Sequence, residues 1–600
     1  PTITGTGTIA SGAITSSGIV TGTAFTAGSA VLAEAELELL DGLTAGTAIA
    51  SKVVTTDANI DTSGQRNLTI TGELDAATGD FSGAIDVAGT ANFDIVDIDG
   101  AVDMASTLQV DGAITGSSTI TGTSFNGIPF FSADNSIYTH DVSGTDDTAA
   151  FNSAYGITAL DAITTGDQNT AVGYGAGGAI NTGGNNTIMG YIAAADITDD
   201  TNNVILGYRA GNALTDSGNV IIGADAARVG TTHSDNVIIG KTAAGNGALT
   251  ADFNVIIGMQ AGQQKTSGGS NVFLGYQSGE QCTTSARSIF IGSTAGDDHD
   301  TENDNLGIGT GALGGPINGG EYNVAIGNAS LDALTSADFV TAVGYQAGSA
   351  VTTGGYNTLI GHQAGLAMTS ANTNTAVGHT ALGSNTVGDR NTAVGSSALS
   401  QFNPSSNTDN NNTAIGYAAL SRLTTGVHNI AIGSSALGAD PGVTTESHNL
   451  AIGVNAMGGN VAGGEYNVAI GNNSLDALTS ADGITAVGYA AGGGLTTGTG
   501  NTLFGHQAGL VLTTHESNSI FGFNAGTALV ESNNVIMGRN AAKVATSANN
   551  CVIIGDNAVE TGVLTGDNNV IIGKNAGAIM TSGADNICIG ANTGDGLTTG

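Results

Sequence analysis

The chain has 600 residues, of which 95 are Gly, 5 are Pro and none is Trp, and only 10% are charged. Twelve Lys and Arg stand against 51 Asp and Glu, a net charge of −39, which excludes nucleic acid and an anionic membrane surface as partners because like charges repel. Apolar residues make up 40% and lean on Ala, Val and Ile, which suits a thin core repeated many times better than one large core.

The chain begins at Pro1, with no Met and no signal-like segment, so a processed terminus or a longer natural protein is expected. Residues 1–130 are rich in Thr-Gly and Ser-Gly steps with alternating apolar residues, as in LTITGELDAATGDFSGAIDVAGTANFDIVDIDGAVDM. They read as a β-structured shaft of short strands joined by Gly turns. The stretch AEAELELLDGL contains the only good helical signal, expected as a short helix over about 33–42 that stops at Gly42. Residues 131–151 are expected to form a transition segment.

From 152 to 600 the sequence repeats. The unit is Asn-x-apolar-apolar-Gly, as in Asn169 to Gly173, Asn203 to Gly207, Asn323 to Gly327, Asn467 to Gly471 and Asn569 to Gly573. Its anchor glycines number 26, from Gly156 to Gly590, and 17 of the 25 spacings equal 17. The residue four before the anchor is Asn in 22 units; Ser288, Val340, Ile484 and Cys551 replace it in the others. A degenerate earlier unit is read at Asn135–Thr139. A repeat this short, with Gly in every unit, is too small for a helical hairpin and fits strand-turn-strand-turn. The expected fold is therefore all-β: a β-solenoid of about 26 rungs, each stacked on the next through backbone hydrogen bonds. The recurrent Asn suggests an amide ladder or a left-handed turn, and the recurrent Gly a positive φ or a close approach. After Gly590 the sequence stops partway through a unit, so continuation past residue 600 is expected.

The residue before each anchor is large and apolar, and the one before that is small or apolar. Neighbours in a strand point to opposite faces, so both faces are expected to be covered. One face fills the solenoid lumen, and the other lies against identical chains; the competing reading covers it with another segment of the same chain. GGEYNVAIGN occurs at both 319–328 and 463–472, and reads as a duplicated eight-rung block that lengthens the rod.

The units TAVGYQAG (341–348), NTLIGHQAG (357–365) and NTAIGYAAL (412–420), with the stretch 36–74, resemble repeats and shafts of marine bacteriophage tail fibres. They also resemble the head repeats of trimeric autotransporter adhesins. The resemblance covers most of the chain. It implies a homotrimeric fibre in the virion tail, joined to phage baseplate or tail proteins and serving a host cell-surface receptor at its tip. An extracellular adhesin whose sides bind the host surface is the alternative, and a glycan-cleaving tailspike a weaker one.

Chemistry-bearing motifs are sparse. Residues Gly173–Gly178 satisfy GxGxxG, but no βαβ context follows. Asp297, Asp298, Asp300, Glu302 and Asp304 crowd one loop and are weak candidates for Ca²⁺; a solvated acidic turn is the competing reading. Carboxylate pairs of the glycosidase kind arise by chance in so acidic a chain, and a Ser-His-Asp set cannot be assigned. No enzymatic activity and no cofactor are expected. Cys282, Cys551 and Cys588 lack metal-type spacing, and no 18-residue apolar run predicts membrane insertion. A row of Tyr174, Tyr191 and Tyr208 is expected to stack. Two long rungs, containing 401–412 and 438–449, are expected to project sideways.

Overall fold

The computed structural model describes residues 2–3, 96–97, 136–139, 148–438 and 445–599. The chain divides into two compact units, 1–123 and 124–600. In the first, β1 (Thr2–Ile3) pairs antiparallel with β2 (Val96–Asp97). The helix expected near 33–42 lies outside the described residues, as do most of the shaft and residues 439–444 of the second long rung.

The second unit is a parallel β-solenoid with one strand per rung, where strand-turn-strand-turn was expected; the left-handed residues of the rest of the rung make turns of it instead. Its ladder runs from β3 (Ile137–Tyr138) through β4 (Ser153–Tyr155) to β29 (Ile587–Ile589). Each strand pairs in register with the strand one rung on: Val255 with Val272, Val324 with Thr341, Val570 with Ile587. The ladder is open, since β3 pairs only with β4 and β29 only with β28 (Val570–Ile572). Twenty-six three-residue strands at about 4.8 Å per step give the solenoid a length on the order of 120 Å. No described residue is helical.

The sequence reading slips by one residue at the first rung. Tyr138 pairs with Ala154 and is buried, and Ser136, not Asn135, takes the ladder position, its hydroxyl accepting from Asn152 N at 2.8 Å. A rung of 16 residues precedes the regular ones.

Positions are counted below from the anchor glycine as zero. The strand occupies −3 to −1, and β-branched Thr, Val and Ile dominate its outer two places, where they fit a pleated surface. Four positions have positive φ on every rung, the anchor and positions +2, +4 and −5, and Gly268, Gly319 and Gly463 add a fifth on theirs. In the unit of Gly361, for example, the four are Gly361, Gln363, Gly365 and Tyr356. The anchor is glycine for two reasons. Its φ lies near +138 at Gly327, and a Cβ there would stand 2.3 Å from the carbonyl oxygen of Gly344 on the next rung.

The lumen is filled by positions −2, +3, +4 and +7. Position +3 is a column of buried small residues, Ala176, Ala193, Ala210 and their successors. Positions −2 and +4 exchange volume. Ala325, Ala376 and Ala414 face Leu331, Leu382 and Leu420, whereas Ile256, Phe273, Phe290 and Leu359 face Gly262, Gly279, Gly296 and Gly365. A Cβ on Gly296 would lie 2.6 Å from the Phe290 ring. Where both are small, as at Ala342 and Gly348, Leu331 and Leu359 of the flanking rungs fill the gap. Constant lumen volume is thus kept by paired choices, as close packing demands. Leu331→Ala is expected to cost about 2–4 kcal/mol through the cavity it leaves. Adding Ala325→Ile to it should restore most of the loss in thermal unfolding of the full chain, whereas Ala325→Ile alone should overpack.

The −4 asparagines form a buried amide ladder. Asn374 N donates to Asn357 Oδ1 at 2.8 Å, and Asn391 N to Asn374 Oδ1 at 2.9 Å, while Asn374 Nδ2 donates to the Gly388 carbonyl and Asn391 Nδ2 to the Asp389 carbonyl, both at 3.0 Å. Each amide therefore satisfies a backbone N–H that the turn before the strand would otherwise leave buried and unpaired.

Candidate functional site

Every three-residue strand from β4 to β29 buries its central residue and turns the flanking two outward. The outward columns, −3 and −1, contain Thr, Val, Ile, Leu, Ser, Met, Phe and Tyr and no charged residue on any of the 26 rungs. Sequence reasoning expected one strand face to need a covering partner without saying which; the outward face is this one, and it comprises two columns where one was expected. Phe504 is 52% exposed, Met189 51% and Ile360 39%. Two columns about 10 Å wide over about 120 Å make a strip of roughly 1,200 Å², more than the roughly 800 Å² per partner of a stable interface. The strip is uncharged throughout and apolar chiefly along −1, since −3 is Thr or Ser on 11 rungs; a long uncharged surface with an apolar column is uncommon on a monomer.

Two further columns border the strip. Position +1 carries the stack of Tyr174, Tyr191 and Tyr208, with centroids 5.4 and 5.5 Å apart, and the stacks Tyr345–His362–His379 and Tyr489–His506–Phe523. Position −5 carries Tyr322–Phe339–Tyr356 and His428–His448–Tyr466. The rings lie face to face along the axis, so their faces are used by each other and their edges point outward. That arrangement leaves little aromatic face for a sugar ring to stack upon.

The five acidic candidates at 297–304 diverge. Asp304 accepts from Arg287 at 2.7 and 2.6 Å, and this pairing holds its carboxyl below the usual range. Glu302 turns inward, is buried, and accepts from the backbone N of Asp300, Thr301 and Gly319 at 3.2, 3.1 and 2.9 Å. Asp300 accepts from the Thr283 hydroxyl. Asp297 is raised to about 6, by burial first and by Asp298 second. Among the described residues no group of three or more His, Cys, Asp or Glu is arranged to hold a metal. The repeat residues Asn169, Gly173, Asn203, Gly207, Asn323, Gly327, Asn467, Gly471, Asn569 and Gly573 all lie in the ladder or at the anchor turn. The GxGxxG match at Gly173 is that turn, with Gly175 and Gly177 in left-handed conformations.

Sequence reasoning missed a second ladder. The side chain at −6 accepts the backbone N–H of the −6 residue one rung earlier: Ser234 N to Asp252 Oδ1 at 2.7 Å, Glu321 N to Asp338 at 2.8 Å, Glu465 N to Asp482 at 2.7 Å. The signal was the recurrence of Asp, Asn, Ser or Glu two residues before the ladder Asn. Several of the acidic residues are therefore backbone acceptors as well as solubilising charge. The duplicated block also proves longer than its identical stretch, because Glu446 repeats the inward bond of Glu302, accepting from Gly463 N at 2.8 Å.

Position +7, aliphatic on most rungs, carries Lys265, Cys282 and His299 on three successive rungs, all fully buried. Lys265 Nζ donates to the Ser285 carbonyl and to Ser285 Oγ, and burial lowers its pKa to about 8. Burial pushes the Cys282 thiol up to about 12, where it is inert. Burial lowers His299 to about 3 and His233, another lumen residue, to about 4. Enclosed in the lumen, these groups meet no substrate. Both histidines are neutral in the fold but take a proton near 6.5 when unfolded. The unfolded chain therefore binds more protons below that pH, and the stability they contribute, full above about 6.5, falls as pH drops toward 4. Asp297, raised, works in the opposite direction between about 4 and 6. Neither His299 ring nitrogen meets a partner in hydrogen-bonding geometry, so His299→Leu is expected to raise the melting temperature at pH 7. It should also shrink the loss between pH 7 and pH 4, as measured by thermal unfolding of both proteins at each pH.

All three cysteines are free and buried. Cys551 substitutes in the amide ladder, its Sγ accepting from Asn569 N at 3.4 Å. In the long rung after Gly395, Phe402 anchors in the lumen while residues 403 and 405–409 are exposed. Among the described residues no helix is long and apolar enough to cross a membrane. No protein-family model matches the sequence, and no curated protein aligns with it significantly.

Proposed function

We propose that the chain is a structural fibre: a stiff solenoid that associates side by side with identical chains, as a homotrimer, and holds a host-receptor-binding tip away from a phage tail or a comparable surface appendage. The observation that carries this reading is the strip that stays uncharged over all 26 rungs, with large, mostly apolar residues along its −1 column, in a chain with net charge −39. Only a partner equally long and regular covers such a strip, and a second copy of the chain is one by construction. Repetition, a closed lumen and stacked ring faces favour a load-bearing role over glycan cleavage or binding along the sides. The resemblance of the repeats to tail-fibre and trimeric-adhesin units supports both the threefold state and the setting.

Sedimentation equilibrium of the full chain, with negative-stain images of the same sample, tests the reading. Rods of three chains, each more than about 100 Å long, are the expected result. A monomer at micromolar concentration, or a globular oligomer, would overturn it.

A further inference from the structure

The two columns bordering the strip match one another rung by rung. At the rung of Gly240, position −5 is Asp235 and position +1 is Lys241, the one described rung with a charge in both columns, and the charges are opposite. At the rungs of Gly344 and Gly361 the pairs are Phe339 with Tyr345 and Tyr356 with His362; at Gly258 they are Phe253 with Met259. All of these side chains are exposed. Where +1 is a large ring without an aromatic partner, −5 is small or uncharged: Gly483 with Tyr489, Gly500 with His506, Ser517 with Phe523. On no described rung does a charge in one column share its height with an aromatic ring in the other.

Contact within one chain does not explain this match. The two positions are six residues apart across an extended strand, on the order of 15–20 Å, and Asp235 and Lys241 form no ion pair with each other. Most of the other charged rim residues are already paired along their own column: Arg287 with Asp304 at −5, and Arg539 with Asp556 at +1, each across 17 residues.

Resting on the fibre reading, we infer that neighbouring copies run parallel and in the same axial register, the −5 rim of one chain lying against the +1 rim of the next. Around a common axis, each strip faces inward and its two edges meet the opposite edges of its neighbours. The rims then bring Asp235 to Lys241, and rings to rings or to small residues, at every height. A shift of one rung would set Asp235 beside Met259 or Ala224 and lose the ion pair. The strip alone tolerates such slips because its residues are nearly interchangeable, so the rims supply what it lacks.

The test is disulfide trapping in the full-length chain carrying Asp235→Cys and Lys241→Cys, with mass in solution measured before oxidation. The native cysteines are buried and stay silent. The expected result is a covalent oligomer that stops at the size measured in solution, formed by the double variant and by neither single variant. Asp235→Cys paired with Lys574→Cys, whose rungs lie far apart, should not crosslink. Crosslinking by Asp235→Cys alone would indicate antiparallel copies and overturn the inference, as would crosslinking of the distant pair. An oligomer that fails to crosslink through the rim pair overturns the register alone. A chain that is monomeric before oxidation overturns the fibre reading beneath it.

Discussion

Ala325→Asp and Ile326→Asp, one residue apart, are expected to fail in different ways. Ala325 is the fully buried centre of β14 (Val324–Ile326), packed against Leu331 in the lumen, whereas Ile326 points outward from the same strand. A carboxylate at 325 has no cation within reach, since the buried Lys265 lies four rungs away, and must be buried unpaired or force the rung open, at a cost of about 3–5 kcal/mol. Because each rung contacts only its neighbours, the damage should stay local. Hydrogen exchange should show loss of protection over the rungs around 309–344 and normal protection near 520–590. Ile326→Asp should leave circular dichroism and exchange within the rungs unchanged while lowering the dissociation temperature of the assembly, since one charge per chain enters the covered strip. If Ile326→Asp disturbs exchange as Ala325→Asp does, the two residues do not divide lumen from seam.

The second large effect concerns the anchor. Gly327→Ala places a methyl 2.3 Å from the carbonyl oxygen of Gly344 at a φ of +138, a conformation L residues rarely adopt. Both the clash and the strain must be relieved by separating two stacked rungs, which costs more than about 3 kcal/mol. Gly311→Asn is the matched control. Gly311 also has positive φ, at +62, but nothing lies within 4 Å of its Cβ direction, and the equivalent positions are Asn455 and Asn473 elsewhere. Thermal unfolding of the two variants should separate by several degrees, with Gly311→Asn within about 0.5 kcal/mol of the parent. A small loss from Gly327→Ala would mean that the rungs are not held at backbone contact distance there.

Several features were legible in the letters because the repeat copies each position many times. The 17-residue period, the strand triplet, the anchor glycine and the inward Asn all recur at fixed offsets. A recurring residue in stacked rungs must satisfy the same neighbour above and below. The exchange of volume between −2 and +4 was equally present in the letters: Ala with Leu, Phe with Gly. It went unread because nothing in the sequence states that residues six apart face each other across a turn. The −6 ladder hid for a similar reason, since Asp or Ser near a turn suggests solvent before it suggests the N–H of the rung behind.

By itself the sequence determined the architecture: parallel stacking, rung length, the in-register ladder, and an acidic chain with no membrane-spanning run. Periodicity alone carries that much, because a repeated pattern admits few ways to bury its apolar positions. Only the tertiary structure decided which apolar residues fill the lumen and which form the outer strip. Left-handed turns at −5, +2 and +4 set the direction of each side chain, and alternation along the strand gives two faces without saying which is inside. The structure likewise separated the acidic loop at 297–304 into residues that pair with Arg287, cap backbone N–H groups or turn inward, a division that depends on the rungs on either side.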